Sequence, residues 1–245
     1  MVITVRYFFI LVVLFLSFSC SKENEEPINL KATLAGGVFT TNEFGYTTSA
    51  QNGVSVTVEG TSQVIGTTDL IGNYLVDNLV TGTYNIKFSK EDFGTLFIPG
   101  FRLVGGDVPT YLNVNLIGQS TTTLSNISLS FDDDKLTIKG TIHHFYPYNI
   151  ELNGPRVIFF LDSQSNVSGD HYKTAISQIM NFPDGSDFTI SALIDRDKFP
   201  TGTELHVVGF GVATYDQGYN DVETNRVMYS TLNGDPSNVA SIDLP

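Results

Sequence analysis

Val54-Ser55-Val56-Thr57-Val58-Glu59 alternates apolar and polar residues without a break. Successive side chains of a strand point to opposite faces, so the valines line one side and Ser55, Thr57 and Glu59 the other. The same period of two returns in Tyr84, Ile86 and Phe88, separated by Asn85 and Lys87 and followed by Ser89. It returns again in Leu112, Val114 and Leu116, interleaved with Asn113 and Asn115. A strand with one apolar face must bury that face against another layer, and a series of such strands builds a sandwich. Turn formers separate them at Asn52-Gly53, Asp69 to Gly72, Asn78 to Gly82 and Gly105-Gly106-Asp107. The 22 glycines, the many Thr, Val, Ile, Tyr and Phe, and the few long helix formers fit the same class. The predicted fold class is all-β, with two tandem β-sandwich domains after an N-terminal leader.

Around this stretch the residues carry a family resemblance. Gly37-Val38 and Gly53-Val54-x-Val56-x-Val58-x-Gly60-Thr61 precede Thr67-Thr68-Asp69-x-x-Gly72-x-Tyr74-x-Val76. Asn78-Leu79-x-x-Gly82-x-Tyr84-x-Ile86-x-Phe88 follows. The order resembles the carboxypeptidase regulatory-like domain, a transthyretin-like β-sandwich, over residues 28–117. The resemblance implies architecture rather than catalysis, since in the peptidases such a module follows the catalytic domain. It implies tight turns at Gly72 and Gly82, needing a positive φ or a close approach, and a turn closed by the Asp69 carboxylate. The peptidase zinc site is missing: none of His143, His144, His171 or His206 has Glu at the third following position.

Gly118-Gln119-Ser120-Thr121-Thr122-Thr123 is polar and reads as a linker, residues 118–123. Beyond it, candidate strands fall at 124–131, 136–144, 156–162, 188–194, 204–215, 226–232 and 239–244. Turns are expected at Asp132-Asp133-Asp134, Asn153-Gly154, Asp184-Gly185 and Asn233-Gly234. Seven short strands point to an immunoglobulin-like sandwich over 124–245, without the disulfide and buried Trp of antibody domains. Tyr172 to Met180 fits either one helical face or a strand, and a strand leading into Pro183-Asp184-Gly185-Ser186 suits the context better. Leu79-Val80-Thr81-Gly82 and Phe199-Pro200-Thr201-Gly202 echo each other, which shared turn chemistry explains.

The N-terminus says where the chain resides. Arg6 is followed by a run from Tyr7 to Phe18 that is apolar apart from Ser17, then by Ser19, Cys20 and the acidic Ser21-Lys22-Glu23-Asn24-Glu25-Glu26-Pro27. That order is a secretory signal peptide, residues 1–19. The uncharged stretch is shorter than the roughly 20 residues needed to span a bilayer. Cys20 is the single cysteine, and it stands where a bacterial lipoprotein is acylated and cleaved. Leu16 lies one position earlier than the aliphatic residue of the commonest lipobox. The segment is similar to the looser lipoboxes of Gram-negative polysaccharide-utilising bacteria, whose surface lipoproteins often carry acidic residues after the acylated cysteine. That resemblance implies an outer-membrane, lipid-anchored and outward-facing protein. Residues 20–27 then form an acylated acidic tether, too polar to pack.

Removing residues 1–19 takes Arg6 away and leaves −14 in place of the full chain's −13. Such a charge argues against nucleic acid and anionic lipid surfaces as partners. No nucleophile motif, phosphate loop or metal-hydrolase signature is present, so no catalytic, cofactor or metal residue is assigned. Adjacent His143 and His144 face opposite sides of a strand and cannot share one ion. Asp132-Asp133-Asp134 reads as a solvated hairpin tip. The better candidates for ligand binding are aromatic residues in loops with acids and amides. They are Tyr146 and Tyr148, beside the strand-breaking Pro147, and Tyr215, Asp216, Tyr219 and Asp221 in the loop 215–221. Tyrosines that merely cover sandwich ends would look the same. The expected function is a non-catalytic surface binding or scaffold module, associated with glycan or nutrient uptake, whose partner is a glycan or an outer-membrane receptor protein. The alternatives are an adhesion or stalk protein presenting a protein-binding tip, and an unrecognised hydrolase.

Overall fold

The computed structural model describes residues 30–59, 64–132, 134–145, 154–216, 218–221 and 224–245. Lys31–Pro245 is one compact unit, and every regular element described in it is a strand. The first eight are β1 (Lys31–Thr41), β2 (Ser55–Glu59), β3 (Val64–Thr67), β4 (Asn73–Val80), β5 (Gly82–Ser89), β6 (Leu96–Leu103), β7 (Thr110–Tyr111) and β8 (Val114–Ile117). One sheet has the order β4-β1-β7, with β8 also pairing β1; the other has the order β3-β2-β5-β6. The alternating valines decide how they pack. Val54, Val56 and Val58 are fully buried, against Leu34 and Val38 of β1, Tyr74 and Val76 of β4, and Ile86 and Phe88 of β5. The Tyr74 and Phe88 rings meet edge-on at 5.5 Å, and the Tyr74 hydroxyl donates to the Leu112 carbonyl.

Turn chemistry fixes this register. The Asp69 carboxylate accepts from the Ile71 and Asn73 amides at 3.0 and 2.9 Å. Gly72 has φ +86°, and a Cβ there would lie 2.4 Å from the Val38 carbonyl oxygen. Gly82 departs from expectation. It has no positive φ and only ordinary contact with the Tyr84 ring. Asn78 takes the left-handed conformation instead, at φ 61°, inside β4. The echo with Gly202 therefore does not extend to conformation, because Gly202 has φ +79°.

The remaining strands are β9 (Thr123–Asp132), β10 (Lys135–His143), β11 (Arg156–Asp162), β12 (Thr174–Ile179), β13 (Ser186–Leu193), β14 (Glu204–Val212), β15 (Tyr219–Asp221), β16 (Arg226–Met228) and β17 (Ala240–Asp243). They form a sheet of order β13-β10-β9, a sheet of order β12-β11-β14-β17, and the hairpin β15-β16. The segment 172–180 thus contains a strand, β12, and no helix. Two expected strands end early, because their backbone groups bond elsewhere. Past Val212, the Ala213 amide donates to the Thr231 hydroxyl and the Thr214 amide to the Glu43 carbonyl. Past Met228, the Thr231 amide donates to the Asp216 carboxylate.

β11, Arg-Val-Ile-Phe-Phe-Leu-Asp, shows no alternation, and the structure supplies the reason. Val157, Phe159 and Leu161 join the core between the two sheets. Ile158 and Phe160 join a second cluster with Val167, Tyr172, Val208 and Val212, packed by Tyr229 and Leu232. A strand buried on both faces has no polar side to show. Phe159→Ala and Phe160→Ala, on opposite faces of β11, are each expected to cost about 3–5 kcal/mol in urea unfolding. A cost below about 1 kcal/mol for Phe160→Ala, typical of a surface site, would show that the outer face is no core.

Candidate functional site

β1 ends in a turn that carries the chain to the seam between the sandwiches. The Asn42 side-chain oxygen accepts from the Phe44 and Tyr46 amides at 3.0 and 2.9 Å. Gly45, at φ +87°, lies flat against the Tyr215 ring, where a Cβ would come within 2.4 Å of a ring carbon. This turn aims Glu43 into the connector 118–123. Its side chain is 6% exposed and has three neutral donors. Oε2 accepts from the Ser120 hydroxyl at 2.8 Å and the Thr121 amide at 3.0 Å, and Oε1 accepts from the Thr121 hydroxyl. The connector's backbone is tied on both sides. Gly118 and Gln119 amides donate to Thr41 and Asp92 carbonyls, the Ser120 amide to the Thr231 carbonyl, and the Asn233 side chain to the Ser120 carbonyl. Ser120 and Thr122 are consequently buried, despite their polarity.

Two cavities open along this seam. The larger, of about 560 Å³, is walled by Phe44, Phe93 and Phe145, with Glu43, Asp92 and Gln119 among its polar groups. The smaller, of about 170 Å³, lies among Leu96, Leu116, Tyr215, Asp216 and Ser230. Small-molecule sites run from about 300 to 1,000 Å³, so the larger cleft is the candidate site. Phe145 is 87% exposed, an apolar ring held in solvent at its edge.

The residues expected from sequence separate into three groups. Cys20, Tyr146 and Tyr148 lie outside the described residues. Tyr215 and Tyr219 sit on the seam, against the first sandwich. Tyr215 covers Gly45, while the Tyr219 ring lies 6.0 Å from the Phe97 ring. Burial, and then the Asp221 and Asp170 carboxylates, push the Tyr219 phenol above its ordinary value. Asp216 and Asp221 shape their loop. Asp216 accepts from the Gly218 amide and from the amide and hydroxyl of Thr231, and Asp221 accepts from the amide and hydroxyl of Thr224. The structure brings Tyr215 and Asp216 to the smaller cavity, not to the cleft.

Sequence reasoning missed Glu43, Phe44, Asp92, Phe93 and Gln119. The Asn42-Glu43-Phe44-Gly45 turn signal was readable, but nothing local marks Glu43 as buried. His143 is exposed, 3.7 Å from Asp184, whereas buried His144 meets the Phe182 carbonyl at 2.9 Å. Among the described residues no group of three or more His, Cys, Asp or Glu side chains gathers as a metal set would.

No family model matches the chain, and no curated protein matches it significantly. Solved structures similar to it include a candidate carbohydrate-binding protein from Bacteroides uniformis, 14% identical. That match covers 87% of this chain and 99% of the other, with a TM-score of 0.34. A DUF3823 family protein from Bacteroides ovatus is 15% identical over 88% of this chain and 100% of its own, with a TM-score of 0.37. Another DUF3823 family protein, from Parabacteroides merdae, is 13% identical over 87% and 99%, with a TM-score of 0.35.

Glu43→Ala would leave two hydroxyls and an amide without their acceptor, at a cost of about 1–3 kcal/mol. Calorimetry is expected to show a lower first transition, with the sandwiches beginning to melt separately. An unchanged single transition would mean that Glu43 does not hold the seam.

Proposed function

We propose that this protein is a non-catalytic, lipid-anchored surface module that captures a glycan in the cleft between its sandwiches. The cleft composition carries the reading. Three phenyl rings, one of them strongly exposed, converge with a carboxylate and amides. Sugar rings stack their C–H faces on aromatic rings while hydroxyls bond to polar groups, and sites of this kind favour domain junctions. The carboxylates of Glu43, Asp216 and Asp221 are engaged by protein donors, which suits structural work better than proton transfer.

The anchor belongs to the same proposal. Acylation of Cys20 would hold the chain at the outer membrane, with residues 20–27 as tether. The tether leads to Lys31 at one end of β1, while the cleft lies beyond Thr41 at the other. Eleven strand residues at about 3.3 Å each separate the two by roughly 35 Å.

The stalk reading has an observation of its own. On the outer face of the first sheet, Leu75 and Tyr111 flank Ala35 in register, and Phe39 follows along β1; all three large side chains are exposed. Such a patch suits a protein partner.

On a glycan array, the purified full-length chain is expected to bind, and Phe93→Ala/Phe145→Ala to weaken binding about tenfold or more. Tyr215→Ala/Tyr219→Ala should act through stability instead. No glycan binding, together with a co-purifying outer-membrane protein lost in Leu75→Ala/Tyr111→Ala, would replace the capture reading with the stalk. Cys20→Ala is expected to abolish palmitate labelling and move the protein to the soluble fraction; persistent labelling would refute the anchor.

A further inference from the structure

We propose that the cleft accepts uncharged glycans and turns away those bearing carboxylate, sulfate or phosphate groups, an inference that rests on the glycan reading above. Its charge is one-sided. Glu43 lines the cleft with a buried carboxylate whose partners are neutral hydroxyls and an amide, and among the described residues no cation pairs with it. Asp92 projects from an exposed position at φ 64° and makes no ion pair among the described residues. Glu91 adjoins it in sequence.

Lys90 is the basic group beside them. Its ammonium lies 5.9 Å from the Phe93 ring centroid, and it donates to the Ala50 and Asn52 carbonyls at 2.5 and 2.6 Å. It is thus bonded to the loop before β2 rather than to a carboxylate of the cleft. Two acids, Glu43 and Asp92, line the cleft and no Lys or Arg is among its described lining, within a chain of net charge −13.

An acidic sugar stacked on Phe93 or Phe145 would bring its own negative charge beside Glu43 and Asp92. Apolar walls reduce the screening that water would supply, and like charges juxtaposed at an interface are strongly unfavourable. A neutral sugar meets no such penalty. It can offer C–H faces to the rings and hydroxyl protons to the Asp92 carboxylate. The recognised class is therefore a neutral glycan.

The test is an array with linkage-matched neutral, uronate and sulfated glycans plus a basic peptide, probed with the full-length chain in detergent. Binding is expected in the neutral sector alone. Asp92→Asn, which tolerates the same left-handed backbone, should raise the ratio of uronate to neutral binding about tenfold. Wild-type binding to uronates or sulfated chains as strong as to neutral ones would overturn this inference and leave the glycan reading standing. An unchanged ratio in Asp92→Asn would also overturn it. Binding to no glycan, or to the basic peptide alone, would overturn both.

Discussion

A buried carboxylate, bonded to neutral donors and paired with no cation among the described residues, ties the two sandwiches together. Removing a charge from water costs several kcal/mol unless close donors replace the lost hydration. Among the described residues, Glu43 obtains those donors from Ser120 and Thr121, residues 77 and 78 positions further along the chain. Sliding or hinging the second sandwich would withdraw them and strand the charge. The Glu43 carbonyl adds a further tie by accepting from the Thr214 amide. One turn after β1 thereby binds the connector and the loop after β14, and the seam behaves as part of the fold.

The cavities follow from that constraint. The sandwich ends leave cavities between them, and the Glu43 contacts help to fix where they touch. The bridge between Phe93 and Gly118 contributes residues to the wall of the larger cleft. Tyr215 and Tyr219 fill ground on which side chains of both sandwiches meet, consistent with the amphipathic tyrosine ring at protein contacts. Arg156 reinforces the loop from below, donating to the Asp216 carbonyl and lying 5.8 Å from the Tyr229 ring centroid. The acids Asp216 and Asp221 are best understood through the backbone amides they satisfy, since those amides would otherwise face the seam without partners.

Most of the fold was legible because its causes are local. Val54, Val56 and Val58 announce a half-buried strand, and Asp69 with Gly72 announces a turn that the structure closes with the expected carboxylate. Legibility failed where distant residues decide. β14 and β16 stop where Glu43, Thr231 and Asp216 take their backbone bonds. Gly82 was expected to need a positive φ or a close approach and shows neither, while Asn78 takes the left-handed conformation. In the loop 215–221, Tyr215 and Tyr219 pack on Gly45 and Phe97 while part of each ring stays exposed; in the sequence an aromatic and acidic loop has the same appearance whether it meets a ligand, another part of the chain or both. Glu43 could not have been singled out, since its role exists only once the connector has folded over it.

The exposed Phe145 points to the source of binding energy in such a cleft. A phenyl ring left in water forgoes about 1.5–3 kcal/mol of burial, and this one stands 87% exposed beside rings already partly covered. A ligand that covers it recovers that energy without having to loosen the seam, because Phe44 and Phe93 are positioned by the turn after β1 and by the bridge to Gly118. On the proposed reading, affinity depends on how much of Phe145 the glycan covers, and selection on the carboxylates of the cleft. On that reading, the buried Glu43 carboxylate that ties the turn after β1 to the connector also contributes to the sign of the cleft.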